Sequence, residues 1–456
     1  MSPPGTEQVR LRLAERELTI PNPWGDDILD RARAGVADAL GDDRVPVRFV
    51  VSESSDNRFE CEVGLIERTD SERLPSIASI FDFSKRPWEN TDSFTAVFIV
   101  PTGIGAEIGG HSGDATPVAR MLAEVCETLI THPNVVNASD INEMPDNGLY
   151  VEGSVLSRLM MGTAGLRKMR SNRVLVAIDA DHDPKWVTST VNAVNAAHAT
   201  YGLDIAGTAV LDRPLRLISH YSDSGRATGE VEGFEGLVNA FDVWEGSFDA
   251  VAIASVIDVP MPYHMDYFTS GGEMINPWGG VEALLTHTAS CIYDVPTAHA
   301  PMMESDEVAN VDPGVVDPRM AAEVISNTFL QCVLKGLQRS PRIVSDGDAM
   351  KMPGVITAAD VSCLVIPDGC IGLPTLAALE QGIPVIAVRE NRNVMRNDLA
   401  RLPWDTGQLY VVDNYWEAAG VMAALRAGMA PSSVRRPLKP TPNAAPKSRT
   451  SGQSHG

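Results

Sequence analysis

Two hydrophobic periods alternate along most of this chain. Short continuous apolar runs predict strands at Ala96–Val100, Thr128–Thr131, Val174–Ile178, Ala206–Leu211, Ala250–Ile257, Ser362–Ile366, Val385–Val388 and Leu409–Val412. Between several of them, apolar positions three and four residues apart predict helices over Pro117–Glu127, Pro184–Tyr201, Gly279–Ala289, Pro318–Leu337, Leu373–Gln381 and Tyr415–Ala427. A strand buried on both faces reads as an unbroken apolar run, and alternation with long helices favours β-α-β units. The fold class is therefore α/β: mostly parallel sheet or sheets with flanking helices, as one large sheet or two lobes.

The pattern changes at both ends. Residues 1–90 read as a small amino-terminal α+β unit, with helical spacing over Asp26–Leu40, strand-like runs at Val45–Val51 and Phe59–Ile66, and Ser54-Ser55-Asp56-Asn57 as the turn between them. Residues 91–429 form the α/β body with a ligand cleft, and residues 430–456 read as a disordered basic tail rich in Pro, Ser and Lys. Within the body, Val97-Phe-Ile-Val-Pro-Thr-Gly103 echoes Cys363-Leu-Val-Ile-Pro-Asp-Gly369, and Leu129-Ile-Thr-His132 echoes Leu284-Leu-Thr-His287. The echoes are too short to establish a duplication. They suggest two strand ends that stop at Pro and turn through Gly, in a fold class where ligands sit outside the carboxyl ends of strands.

Composition narrows the partners. The 456 residues carry a formal charge of −23, which argues against a sequence-independent grip on nucleic acid. Val434–Gly456 has five basic residues and no acid, so the remainder is more acidic still. No apolar run is long enough to span a bilayer, and the opening MSPPGTEQVR lacks the apolar core of a signal peptide, so a cytoplasmic location and no membrane partner are expected. Six scattered cysteines without a Cys-x-x-Cys pair suit neither a structural zinc site nor a disulfide framework. A homo-oligomer is compatible with the composition.

The stretch from Phe98 to Arg120 places Gly103, Gly105, Gly109, Gly110 and Gly113 between a strand and a helix. A dinucleotide fingerprint fails, because Ile108 stands where the third glycine belongs. A P-loop fails as well, because His111 replaces the lysine that reaches the phosphates. Two readings stay open: an anion nest of backbone amides, with Thr102, Gly103, Gly105, Gly109 and Gly110 as contacts, or a structural crossover. A second glycine turn, Asp368-Gly369-Cys370-Ile-Gly372, enters a helix and offers the same choice.

Near these turns, several side chains could carry chemistry. His111 and Asp114 share the first loop and could serve as general base or metal ligands. His132, Asn134 and Asn137 follow an apolar strand, as ligand contacts or as a strand-end cap. Glu152, beside a glycine and among apolar neighbours, could act as acid or base. His299 lies between two prolines, either as a positioned imidazole or as a satisfied core histidine. Cys370 has no visible partner for nucleophilic use, and Glu390 and Asn391 sit at a strand end as ligand contacts or solvated loop.

Taken together, the segments starting at Val100, Leu129, Leu149, Gly279, Ala298 and Ile386 resemble a bacterial family known by the domain-of-unknown-function label 3326. The resemblance covers roughly Thr91 to Met429. It implies one recurring unit and transfers no activity, cofactor or metal. The residues suggest an enzyme acting on a small polar, anionic metabolite bound by the two glycine turns, with group-transfer or lyase chemistry. A noncatalytic binding or sensor protein and an NAD-dependent oxidoreductase with an atypical cofactor loop are the alternatives.

Overall fold

The computed structural model describes residues 11–25, 27–41, 44–68, 77–111, 113–137, 143–180, 183–325, 329–438 and 440–441. The expected tail of residues 430–456 lies largely outside them. Two all-parallel sheets form the body. The larger has the strand order Leu409–Val412, Val385–Val388, Val361–Pro367, Thr95–Phe98, Thr128–Thr131, Gly148–Tyr150. The smaller has the order Thr297–Pro301, Ala250–Ser255, Val174–Ile178, Ile205–Val210. Helices flank both, so the chain is α/β with several parallel sheets.

The larger sheet reverses its strand order at its centre. From Thr95–Phe98 the chain steps outward through two strands, and from the adjacent Val361–Pro367 it steps outward the other way. The two Pro-Gly strand ends echoed in the sequence therefore lie side by side at a topological switch point, where a crevice opens at the carboxyl edge. The other echo is no repeat: Leu129–Thr131 lies in a strand, whereas Leu284–His287 lies within the helix Gly279–Tyr293.

Helix ends match the sequence where local chemistry sets them. Pro184–Tyr201 begins behind Asp183, whose side chain accepts from Lys185 N, and ends at the left-handed Gly202. Leu373–Gln381 ends the same way at Gly382. The long helix expected over Pro318–Leu337 is instead Ala321–Ile325 and Phe329–Arg339, with residues 326–328 outside the described set.

The amino-terminal segment supplies the expected helix, Ile28–Leu40, and hairpin, Arg44–Ser54 with Arg58–Arg68. It does not build its sheet alone. Leu11–Pro21, a strand absent from the sequence reading, pairs on one edge with Arg58–Arg68 and on the other with Ala227–Glu232. The sheet has seven strands and also includes Arg216–Tyr221, Ile257–Asp258 and Ile371–Gly372. Four buried charges seal the junction: Arg226 pairs with Glu15 and with Glu62, and Arg48 reaches Glu15 at 3.2 Å. Burial pushes the Glu15 carboxyl up, but Arg226 and Arg48 outweigh it and hold it below the usual range.

Candidate functional site

A cavity of about 280 Å³ lies between the carboxyl edges of the two parallel sheets. One helix, Gly279–Tyr293, forms much of its wall. Gly279, Glu282, Ala283, Thr286 and His287 recur at helical spacing and line the cavity. The helix can lie this close to Ala227–Glu232 because residue 280 is glycine: a Cβ there would meet the Ala227 carbonyl oxygen at 2.1 Å.

Glu282 projects from that helix onto the smaller sheet. Its Oε1 lies 2.8 Å from His299 Nδ1, and His299 Nε2 lies 2.9 Å from Ser255 Oγ. A carboxylate, an imidazole and a hydroxyl thus form a chain at neighbouring strand ends. Ser255 is fully buried and is not part of the cavity wall, so it is an anchor for the imidazole and not a nucleophile. Both His299 nitrogens are engaged, which leaves the Glu282 carboxylate as the group offered to a ligand.

Glu152 and His287 form a second carboxylate-imidazole pair with the roles reversed. Glu152 follows the strand Gly148–Tyr150 and caps the helix Gly153–Met160, accepting from Ser154 N at 2.8 Å and from the Ser154 hydroxyl. Its Oε1 accepts from Thr286 Oγ1 at 3.3 Å and lies 2.5 Å from His287 Nδ1, off the ideal hydrogen-bond line. Burial pushes this carboxyl up, yet His287 and Ser154 outweigh it and hold it below its ordinary value. Both residues lie on the cavity wall, and with the carboxylate saturated the His287 ring is the member left for a ligand. Gly153 makes room for it, since a Cβ there would fall 2.7 Å from His287 Cε1.

His132 and His111 line the same cavity but serve the scaffold. Val100 N donates to His132 Nε2 at 3.1 Å, and burial lowers that imidazole to about 4. His111 Nδ1 meets the Tyr267 hydroxyl at 3.0 Å, and burial together with Arg319 lowers it likewise to about 4. Asp114 turns away, accepting from Gly109 N at 2.8 Å and His111 N at 3.3 Å. It is a staple for the loop and not the base or metal ligand expected from the sequence. Among the described residues, no three His, Cys, Asp or Glu side chains converge to hold a metal ion.

The first glycine loop is a tightly docked crossover. Several of its amides are occupied: Gly109 and His111 by Asp114, Ile108 by Asn391 Oδ1 at 2.8 Å, and Glu107 by Arg392 O at 3.0 Å. Asn391 also donates to Ile108 O, and Asn134 donates to Val100 O and Gly109 O at 2.8 Å each, so both are braces. Gly103 has a left-handed φ of 83°, and a Cβ there would meet the Ala227 carbonyl oxygen at 2.4 Å. Gly105 and Gly109 are also left-handed, and a Cβ on Gly110 would clash with Ala106 O. Thr102, Gly110, Asn134 and Asn137 remain on the cavity wall.

In the second turn, Gly369 N is taken by Asp368 Oδ1 at 2.9 Å, and Ile371 and Gly372 pair with Val51 and Val50. The amides of Ile108, Gly109, His111 and Gly369 are thus committed to the scaffold and not to a ligand. Burial pushes the Cys370 thiol far above its ordinary value, which removes it as a nucleophile. Glu390 accepts from Tyr415 N at 3.1 Å, at the start of the helix Tyr415–Arg426, away from the cavity.

Sequence reasoning missed Glu282, His287, His264, Glu304 and Trp278 on the wall. His264 Nε2 lies 3.2 Å from Glu304 Oε2, and its ring packs edge-on against Trp278. A signal existed for two of them: polar residues at helical spacing inside the predicted helix Gly279–Ala289. Four glutamates and five histidines line the cavity, and no Lys or Arg is among the described lining residues.

Residues 95–435 match the family described as Protein of unknown function (DUF3326). A protein of Synechococcus sp. named "Uncharacterized lipoprotein" is 35% identical over 346 residues, covering 75% of this chain and 93% of the relative. No solved structure matches. With the match spanning both parallel sheets and every wall of the cavity, the chain belongs to the DUF3326 family.

Proposed function

We propose that this protein is an enzyme that moves protons on a small polar molecule held between the two parallel sheets, with lyase or group-transfer chemistry. One observation carries the reading: a single helix presents to one cavity, from the two edges of its inward side, the Glu282 carboxylate, braced by His299, and the His287 imidazole, braced by Glu152. At five residues apart they are separated by about 7.5 Å along the helix axis, which leaves room for a small ligand between them. A carboxylate suits proton abstraction. An imidazole at the other end suits returning a proton to the departing group, so an elimination balances without a further reactant.

The ligand charge inferred from sequence changes. An anion would face glutamates with no guanidinium or ammonium on the described wall. A neutral or positively charged molecule fits better. The same absence of fixed cations disfavours a dinucleotide pyrophosphate.

The test is a thermal-shift screen of amines, polyols and carbonyl compounds, followed by turnover assays on the compounds that raise the melting point. Glu282→Gln and His287→Asn are expected to lower turnover by about 100-fold or more while binding changes by a few-fold. Affinity changes without any turnover in the native protein would instead support a sensor using the same cavity. A cytoplasmic location belongs to this proposal, in keeping with six unpaired thiols, and cell fractionation checks it. Among the described residues, no helix is long and apolar enough to cross a membrane.

A further inference from the structure

A second, smaller cavity of about 100 Å³ adjoins the first, and the two share Thr102, His132, Gly153 and His287 on their walls. It lies at the switch point of the larger sheet, between the strand ends at Ile99 and Ile366. Crevices at such points are where open parallel sheets receive ligands. Its character differs from that of its neighbour. Ile104, Leu156, Ile371, Leu373 and Met395 contribute hydrocarbon.

Away from the residues shared with the larger cavity, the polar side chains on this wall are already engaged. Arg48 is held by Glu15 and by Thr102 O, and Arg158 by Asp294. Ser157 donates to Gly153 O, Thr375 donates to Cys370 O, and Ser154 donates to Glu152. Inserting a polar ligand group here would leave it desolvated without a partner. Inserting hydrocarbon removes apolar surface from water at no such cost.

We infer that the smaller cavity receives the hydrocarbon arm of an amphipathic substrate whose amine or hydroxyl head lies beside Glu282 and His287 in the larger one. This rests on the proposed function for its polar end. An apolar protein cavity of ~150 Å³ accepts benzene, so one of this size takes an arm of roughly four to five carbons. On this inference the arm crosses at Gly153, the residue on the shared wall without a side chain.

Calorimetric titration of the full chain with n-alkylamines and with n-alkanols, from ethyl to hexyl, tests the inference. Affinity is expected to rise about fourfold per methylene, the ~0.8 kcal/mol of a buried CH₂, and to level off near butyl or pentyl. The amine and alkanol series together identify the preferred head. Leu156→Phe and, independently, Ile371→Phe fill the chamber. Each is expected to abolish the rise while keeping the affinity for ethylamine or ethanol. No dependence on chain length in the native protein, or an undiminished dependence in both folded variants, would overturn the inference. The rise does not require turnover. A rise without any reaction would sink the enzymatic reading alone, and a reaction without a rise would sink this one alone.

Discussion

Gly153 and Asp114 show how much of this site depends on atoms that never touch a ligand. Gly153→Ala places a methyl group 2.7 Å from His287 Cε1, so the ring must move away from Glu152. We expect a loss of about 1–3 kcal/mol in urea unfolding and a fall in ligand affinity. Asp114 ties the first glycine loop together, and burial raises its carboxyl to about 7. The unfolded value is about 3.9, so the folded state holds the proton more tightly between those two values. Its contribution to stability is therefore full below about pH 4 and lost as pH rises through about 7. Asp114→Asn should gain stability relative to the native protein between pH 4.5 and 7.5, read from urea midpoints. His111 and His132, lowered to about 4, act in the opposite sense. Their contribution is full above the unfolded value of about 6.5 and declines as pH falls toward 4. His132→Asn should flatten the acid side of the stability profile, if the amide keeps the bond from Val100 N.

At the scale of elements, the helix Gly279–Tyr293 joins the two candidate proton-transfer groups to the scaffold. Its docking depends on two glycines that approach one carbonyl, Gly280 from the helix and Gly103 from the first loop, both meeting Ala227 O. Gly280→Ala drives a Cβ into the peptide group joining Ala227 and Thr228, since Ala227 O, Ala227 C and Thr228 N all lie within 2.6 Å of it. Backbone in a paired strand cannot yield as a side-chain tip can. We expect a loss of about 3 kcal/mol in chemical denaturation, together with weaker ligand binding in calorimetry. The helix was legible in the sequence, and its amphipathic logic was not. Its polar stripe faces inward, toward a cavity shared with other elements, and periodicity cannot tell an inward polar face from a solvated one. The strands Leu11–Pro21 and Arg216–Tyr221 escaped detection for a related reason. Each carries charged residues that break the apolar pattern; in the first, partners lie on distant strands, as for Glu15 with Arg226, and in the second Arg216 pairs with Glu232 across the hairpin.

For the molecule as a whole, the buried charges Arg48, Glu15, Arg226 and Glu62 bind the amino-terminal strands to the middle of the chain. Arg226→Leu leaves Glu62 and Glu15 short of a partner at full burial, and we expect it to cost about 3–5 kcal/mol. Because the seven-stranded sheet draws on residues from Leu11 to Gly372, unfolding followed at Trp24 and at Trp278 should give a single coincident transition. Two separate midpoints would show that the amino-terminal strands fold independently. Local periodicity alone was enough to specify the α/β class, most strands of both parallel sheets though not Gly148–Tyr150, and the helices closed by Asp, Pro and Gly, because each of those features is set by neighbours within a few residues. It also marked His132, Glu152 and His299 as candidates, since all three stand at or near strand ends. Only the tertiary structure decided that Glu282 and His287 face one cavity, that the amides of Ile108, Gly109 and His111 are bonded within the scaffold, and that an apolar chamber opens beside the site. Those outcomes are set by which side chains from distant segments meet, and by which polar groups the packed interior has satisfied before any ligand arrives.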